Sequence, residues 1–395
     1  MTVKAFLEGL STSPRNSKLL RFVTGNQSAD MDSVVSAITY AYFYHKCYPK
    51  EEPLLPLVNI SREEFRLRKD IVLLLGKHDI CSSRIFFLDD VRSLNTQFPT
   101  ADLDVVLVDH CNLQGELLTE LYEQKRLRVS GIVDHHADEG VFLDASPRII
   151  HSNGSCSALV FNYWAGKIGP IEDKDAIQLL LGPLLIDTSN MQQKVEAGDR
   201  EAYAQYTKVL AGSGGVLQTS ESGSSPFTAL FSELKTAKKD LDGFSLFDIL
   251  RKDYKQFKFV SKSNGAVSVG FSSIGKPLSW VLSKFPVSEV LESLKNMSET
   301  FHLDVVIITS SFTQKDTGIY TREFCFSTHK AGLEQLASFA DDLQLAEGFY
   351  KEKKVAQALA QINNSVIFKV YNQQNTAASR KQVVPVIKDV IEQRL

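Results

Sequence analysis

Four short polar segments carry acids or imidazoles of the kind that bind metals or move protons. In Gly25-Asn26-Gln27-Ser28-Ala29-Asp30-Met31-Asp32-Ser33, two carboxylates stand two residues apart. Asp109-His110 follows the apolar run 103–108, and Asp134-His135-His136 follows Gly131-Ile132-Val133. Asp187 ends the apolar run 179–186. Each has a plain reading too. Asp30 or Asp32 suits a helix N-cap, and Asp109 suits a solvated strand end. A carboxylate followed by paired imidazoles is metal-site material. An acid after so apolar a run as 179–186 is buried or half-buried, where its charge needs a partner or a cation. Together, Asp30, Asp32, Asp109, Asp134 and Asp187 with His135 form a set that can gather at one sheet edge. Without neutralisation they repel, since unit charges ~4 Å apart interact by about 4 kcal/mol at an effective dielectric of about 20. Two divalent cations relieve that repulsion. Such a pair lowers the pKa of a bridging water and holds phosphoryl oxygens for in-line attack.

Positioning these residues requires elements that end where they stand. Between residues 19 and about 190, β-rich runs alternate with helix-period stretches. LLRFVT (19–24) reads as a strand stopping at Gly25, and Val34, Ala37, Ile38, Ala41 and His45 follow at helical spacing. LDVVLVD (103–109), RVSGIVD (128–134) and RIIHS (148–152) read as buried strands, and CSALVFNYWAGKI (156–168) as a helix starting near Ser155. Apolar strands separated by helices predict an α/β fold with a parallel sheet, which places ligands beyond the carboxyl ends of its strands. Several of the polar segments sit at such ends. The Gly/Ser-rich stretch 211–226 reads as a linker between a catalytic domain (1–210) and a smaller C-terminal α+β domain (227–395). In the latter, VSVGFSSI (267–274), LDVVIITSSF (303–312), EFCFSTH (323–329) and SVIFKVY (365–371) read as strands. AGLEQLASFADDL (331–343) is amphipathic, and Pro385 suits the first turn of a last helix.

Composition narrows the partners. A chain of 395 residues exceeds one ordinary core and predicts two domains. Lys and Arg number 44 against 47 Asp and Glu, a net charge of −3. That leaves no basic excess for coating nucleic acid or a membrane surface. A polyanionic substrate would need locally concentrated positive charge. Cys47, Cys81, Cys111, Cys156 and Cys325 are scattered without CxxC spacing, which points to a reducing compartment. The first residues lack the ~7–15-residue apolar core of a secretory signal, and no run approaches the ~20 residues that span a bilayer. The expectation is a soluble cytoplasmic protein.

GNQSADMDS, LVDHCN, IVDHH and LLIDTSN, in this order, resemble the four motifs of the DHH phosphoesterase superfamily. Asp253-Tyr254-Lys255-Gln256-Phe257 and Ser379-Arg380-Lys381-Gln382 resemble its DHHA2 subgroup, which holds family II inorganic pyrophosphatases, prune-type proteins and yeast cytosolic exopolyphosphatases. The IVDHH and SRKQVVP contexts, with GSCSALVFNYW and IDTSNM, are most similar to the yeast exopolyphosphatase type; the GGGH signature of the DHHA1 subgroup is absent. The resemblance implies a parallel-sheet DHH domain followed by a smaller DHHA2 domain. It implies that Asp30 and Asp109 serve one metal, that Asp32, Asp109, His135 and Asp187 serve another, and that Asp109 bridges. His136 would face the terminal phosphate and share catalysis with Asp109, while Asp134 orients the histidines.

Asn26 stands where the pyrophosphatases carry a histidine ligand. An amide there is an oxygen ligand or a phosphate donor, so the first site is more oxygen-rich, favouring Mg²⁺ with Mn²⁺ as the alternative. It also counts against pyrophosphate as main substrate. Lys255, Arg380 and Lys381 match the family's phosphate-gripping cations. The implied activity is release of orthophosphate from the ends of linear inorganic polyphosphate by a monomer. Pyrophosphatase or prune-like nucleotide phosphodiesterase action is the alternative, and a metal-retaining binding protein is a different class. Arg62, Arg66, Arg68 and Lys69 line an access path for a polyanion on one reading, or an ion-paired face with Glu63 and Glu64 on the other.

Overall fold

The computed structural model describes residues 1–10, 18–211, 225–263, 265–348, 350 and 352–395; the expected 211–226 linker lies, apart from its ends, outside them. Two units separate, Met1–Asp240 and Leu241–Leu395.

The first unit opens with α1 (Val3–Gly9), β1 (Leu19–Thr24) and α2 (Met31–Cys47). It continues through β2 (Leu55–Val58), α3 (Lys69–Lys77), β3 (Phe86–Phe87), α4 (Leu88–Gln97), β4 (Asp102–Val108) and α5 (Glu116–Glu123). After β5 (Leu127–Asp134) and β6 (Arg148–Ile150) come α6 (Cys156–Ile168), α7 (Lys174–Asp187), α8 (Ala197–Leu210) and α9 (Pro226–Lys239). All six strands are parallel, in the order β3-β2-β1-β4-β5-β6.

Period-two geometry explains why the strands look apolar throughout. Leu103, Val105 and Leu107 of β4 join Leu20, Phe22, Leu118 and Leu121 in a core on one face. Val106 and Val108 join Val23, Val133 and the residues of α2, α6 and α7 on the other. A sheet covered on both faces needs no polar alternation. For the same reason α2 has no polar stripe: every residue from Met31 to Phe43 is buried, packed on α6 and α7 as well as β1.

The chain builds outward from β1 to β2 and β3, then returns to lay β4 on the other side of β1. This reversal makes the carboxyl ends of β1 and β4 a topological switch point, where doubly wound sheets leave a crevice for ligands. Gly25 brings α2 hard against that crevice. A Cβ on Gly25 would lie 2.4 Å from Ser33 Cβ and 2.9 Å from the Ser33 carbonyl oxygen.

The second unit contains α10 (Leu246–Lys252), β7 (Tyr254–Ser261), β8 (Gly265–Ile274), α11 (Leu278–Lys284) and α12 (Val287–Thr300). β9 (Val305–Thr313), β10 (Tyr320–Thr328), β11 (Leu345–Glu347), α13 (Lys353–Asn363), β12 (Ile367–Gln373) and α14 (Arg380–Asp389) follow. Its sheet runs β11-β12-β10-β9-β8-β7, parallel between β8 and β9 and antiparallel at the other pairings. The fold class is the one the sequence predicts, a parallel-sheet α/β unit followed by a second, mixed sheet.

Two local readings take a different form in the structure. The amphipathic residues 331–343 form two 3₁₀ turns, Leu336–Phe339 and Asp341–Leu343. Leu333, Leu336, Ala340 and Leu343 are nevertheless all buried, because a near-three-residue spacing also serves a 3₁₀ chain. Pro385 lies inside α14 rather than opening it. A capping box between Ser379 and Gln382 starts the helix five residues ahead of the proline, so the Lys381 carbonyl loses its i+4 donor.

The crowding at Gly25 predicts that Gly25→Ala lowers unfolding stability by about 1–3 kcal/mol, since two backbone segments would have to part. Gly76→Ala in α3, where a new Cβ meets nothing within 4 Å, should raise it by roughly 0.5–1 kcal/mol. Denaturant midpoints of the two variants check the pair of signs.

Candidate metal centre

Asp109 follows β4 at the switch point, in a left-handed conformation (φ +62) that costs a non-glycine residue of order 1 kcal/mol or more. Its Oδ2 accepts hydrogen bonds from Asn26 Nδ2 at 2.7 Å and Ser33 Oγ at 2.6 Å. Its Oδ1 lies 3.1 Å from His135 Nε2. Asn26 Oδ1 accepts from the Ser28 amide at 2.8 Å, so the side chain is fixed at both ends, with its nitrogen on Asp109. Ser33, the last residue of the first motif, also takes the Asn26 amide on its Oγ at 3.1 Å. The neighbouring His110 turns Nδ1 back onto the Val108 carbonyl.

His135 donates from Nδ1 to the Asn153 carbonyl at 3.0 Å, so Nε2, whose proton Asp109 holds, is the ring nitrogen that can ligate a metal once that proton is released. Asp134, fully buried at the end of β5, accepts at Oδ1 from the His135 amide (2.7 Å), the His136 amide (3.2 Å) and His136 Nδ1 (2.8 Å). One carboxylate thus fixes both histidines. Asp32 accepts at Oδ1 from Ser155 Oγ and the Ser157 amide, both at 2.8 Å, and at Oδ2 from the Cys156 amide at 2.6 Å. Those amides open α6, whose positive end favours a carboxylate. Asp30 caps α2 by accepting from the Ser33 amide at 3.0 Å.

Asp187, half-buried, ends α7. Beyond it Ser189, Asn190 and Met191 are all left-handed, a turn held by the Asn190 amide on the Leu185 carbonyl and the Met191 amide on Thr188 Oγ1. Asp187 Oδ2 is buried and accepts no hydrogen bond.

The charges of this cluster act on one another. Burial, then the charge of Asp30, pushes the Asp109 carboxyl well above its ordinary value. Burial likewise raises Asp32, with Asp30 adding to it, and raises Asp187 further, with Asp32 adding and Lys238 opposing. Burial opposes charging His135, but its hydrogen bond to Asp109 and the charges of Asp32 and Asp109 prevail, raising its pKa to about 10. At Asp134, burial works upward and is outweighed by the hydrogen bond and charge of His136, so its pKa is lowered.

This donor set fits a divalent cation. It combines carboxylate oxygens with imidazole nitrogen, and a buried carboxylate oxygen without a donor needs positive charge. Donor atoms of Asp109, Asp134, His135 and His136 lie within 4.8 Å of one another.

The second unit gathers cations of its own. Arg380, the first residue of α14, donates to the Asp253 carbonyl at 3.0 Å and pairs with Asp253 Oδ1 at 2.7 Å. That pair joins Ser379–Gln382 to the start of β7, where Lys255 stands, and Lys381 beside it is exposed. Arg62, Arg68 and Lys69 of SREEFRLRKD have partners in the first unit, and Arg66 is exposed. Arg62 pairs with Asp90 and covers the Phe87 ring, buried Arg68 holds the Ser28 carbonyl at 2.8 Å, and Lys69 pairs with Asp240. Among the site's supports, Asn153 had no sequence signal, because its contribution to His135 is a backbone carbonyl.

Residues 21–184 match the family model described as DHH family, N-terminal domain, and residues 232–390 match the DHHA2 domain. A Schizosaccharomyces pombe protein with a provisional exopolyphosphatase name is 32% identical over 94% of this chain and 91% of its own length. The Homo sapiens protein named exopolyphosphatase PRUNE1 is 26% identical over 98% of this chain and 79% of its own. A solved Methanococcus jannaschii structure, provisionally named a family II inorganic pyrophosphatase, shares the fold with a TM-score of 0.57 at 18% identity, covering 94% of this chain and 99% of that one. Among the described residues, no helix is long and apolar enough to cross a membrane.

Because Asp109, Asp32, Asp187 and His135 all hold protons more tightly than usual, the sign of metal linkage follows. Ligation requires their deprotonated forms, so cation binding releases protons and apparent affinity rises with pH. Calorimetric titration of Mn²⁺ near pH 6.5, in two buffers of different ionisation enthalpy, should give heats that differ by the buffer term. Equal heats would contradict the charge balance described.

Proposed function

This chain belongs to the DHH phosphoesterase family, with a DHHA2 domain after its DHH domain, and from that premise we propose that it hydrolyses the terminal phosphoanhydride of linear inorganic polyphosphate to release orthophosphate. The observation that carries the reading is the gathering of Asp109, Asp134, His135 and His136 donor atoms within 4.8 Å of one another, with a buried, undonated oxygen on Asp187. The exopolyphosphatase names of two relatives support the choice of substrate.

In this reading Asp30, Asp32, Asp109, His135 and Asp187 hold two divalent cations, Mg²⁺ or Mn²⁺, with Asp109 shared. Bound there, the cations supply neutralising charge for phosphoryl oxygens and a water of lowered pKa. Asn26 and Ser33 hold one oxygen of Asp109 through two donors, which orients the other. Asp134 fixes Nδ1–H of His136, so Nε2 is the ring nitrogen that meets the terminal phosphate and donates to it when protonated. Arg380, Lys381 and Lys255 bind substrate phosphates, Arg380 by a fork that Asp253 holds in place. Asn26, bonded within the protein at both ends of its amide, is in this reading a support of Asp109 and not the oxygen ligand or phosphate donor expected from the sequence.

Asp109→Asn should cut phosphate release from chains of defined length by more than about a hundredfold, with circular dichroism unchanged; retained turnover would dispose of the shared-ligand role. Lys381→Ala should raise KM for polyphosphate by about tenfold, the size of one lost charge-assisted bond, with the melting temperature unmoved. Steady-state assays with long chains, pyrophosphate and cyclic nucleotide in parallel check both effects and the substrate preference.

A further inference from the structure

Asp199 is the third residue of α8 and makes a capping box with Glu196, an ordinary helix start. Its carboxylate, fully buried, does more than that task requires. Oδ2 accepts from the Glu196 amide at 2.8 Å and from the Gly154 amide at 2.7 Å. Oδ1 accepts from Asn153 Nδ2 at 2.7 Å and from the Ser155 amide at 3.1 Å. Three of these four bonds therefore hold residues 153–155, more than forty positions away in sequence.

That loop touches two members of the metal centre. The Asn153 carbonyl accepts from His135 Nδ1, and Ser155 Oγ donates to Asp32. The next two amides, of Cys156 and Ser157, complete the hold on Asp32. Packing leaves the loop no slack. A Cβ on Gly154 would lie 2.5 Å from the Lys194 carbonyl oxygen and 2.8 Å from Asp199 Oδ2, and one on Gly198 would lie 2.8 Å from Asn153 Oδ1.

We propose that Asp199 is a positioning residue of the metal centre: by clamping residues 153–155 it sets the tautomer and aim of His135 and the placement of Asp32. The inference rests on the metal-centre reading and adds to it a group that touches neither cation nor substrate. Two ligands about a hundred residues apart in sequence are thereby referred to one scaffold. Asn at position 199 would keep the volume but turn an amide NH₂ toward backbone donors, so the clamp opens without a cavity.

The test titrates Mn²⁺ alone into the full chain, following free ion by its electron paramagnetic resonance signal. Asp199→Asn is expected to weaken binding by about 10- to 100-fold, the range for a lost outer hydrogen-bond partner, and to alter the bound-ion spectrum. Asp175→Asn is the control for general destabilisation. Asp175 accepts from the Val3 amide and pairs with His78 at the opposite end of α7 from Asp187, so its loss should lower the melting temperature and leave affinity unchanged. Asn153→Ala keeps the carbonyl but drops the side-chain bond to Asp199; it should lose affinity several-fold even where Asp199→Asn fails to fold. Wild-type affinity in Asp199→Asn or in Asn153→Ala, or an equal loss in Asp175→Asn, would overturn the positioning role. Absence of Mn²⁺ binding by the wild-type chain would instead remove the metal centre beneath it.

Discussion

Mutual repulsion among Asp30, Asp32, Asp109 and Asp187 is the constraint to which the first unit is built. Burial raises the cost of charging Asp32, Asp109 and Asp187, and the charges of neighbouring acids add to it. The fold meets part of this cost with oriented dipoles. Asp32 lies on the amides that open α6, Asp30 on the first turn of α2, and one oxygen of Asp109 on the donors of Asn26 and Ser33. His135 supplies the nearest positive charge to Asp109. Asp187 Oδ2 receives no such help. Asp134 Oδ2 likewise accepts no hydrogen bond. A site with donor atoms left for a cation differs physically from a network that closes on itself, because bound metal becomes part of its stability.

Some of the chain's left-handed backbone lies at the same place. Asp109 is left-handed at the strand end, and three successive left-handed residues follow Asp187. Such conformations persist only where the surroundings over-determine them. Here those surroundings are the close approach of Ser33 to Gly25, the hydrogen bonds to both Asp109 oxygens, and the Leu185 and Thr188 acceptors behind the second turn. The second unit deals with charge differently, letting Asp253 hold Arg380 at the head of a helix where Lys381 stays exposed.

Much of this was legible along the chain. Strands β1, β4 and β5 were readable as largely apolar runs because their sheet is covered on both faces, whereas β6, at the sheet edge, is half-buried and not the buried strand expected. The acids were conspicuous because they interrupt those runs at the sheet's edge. Pro385 and residues 331–343 took a different form for one shared reason, that local pattern does not count turns. The Ser379–Gln382 box had already begun the helix, and an apolar period near three suited two kinds of coil. Asp199 was invisible as a site residue because its capping box with Glu196 explains its residue type without reference to residues 153–155.

By itself, then, the amino-acid order determined which residues carry charge, which runs must be buried, and that acids fall where strands end, all of which depend on side-chain type and near-neighbour spacing. Tertiary structure alone decided that β4 lies beside β1, and so that Asp109 meets Asn26 and Ser33. It also decided that an acid on α8 holds the loop on which His135 and Asp32 lean. The physical reason is that these are long-range pairings, and their energy depends on where the packing of whole helices and strands brings the chain back to itself.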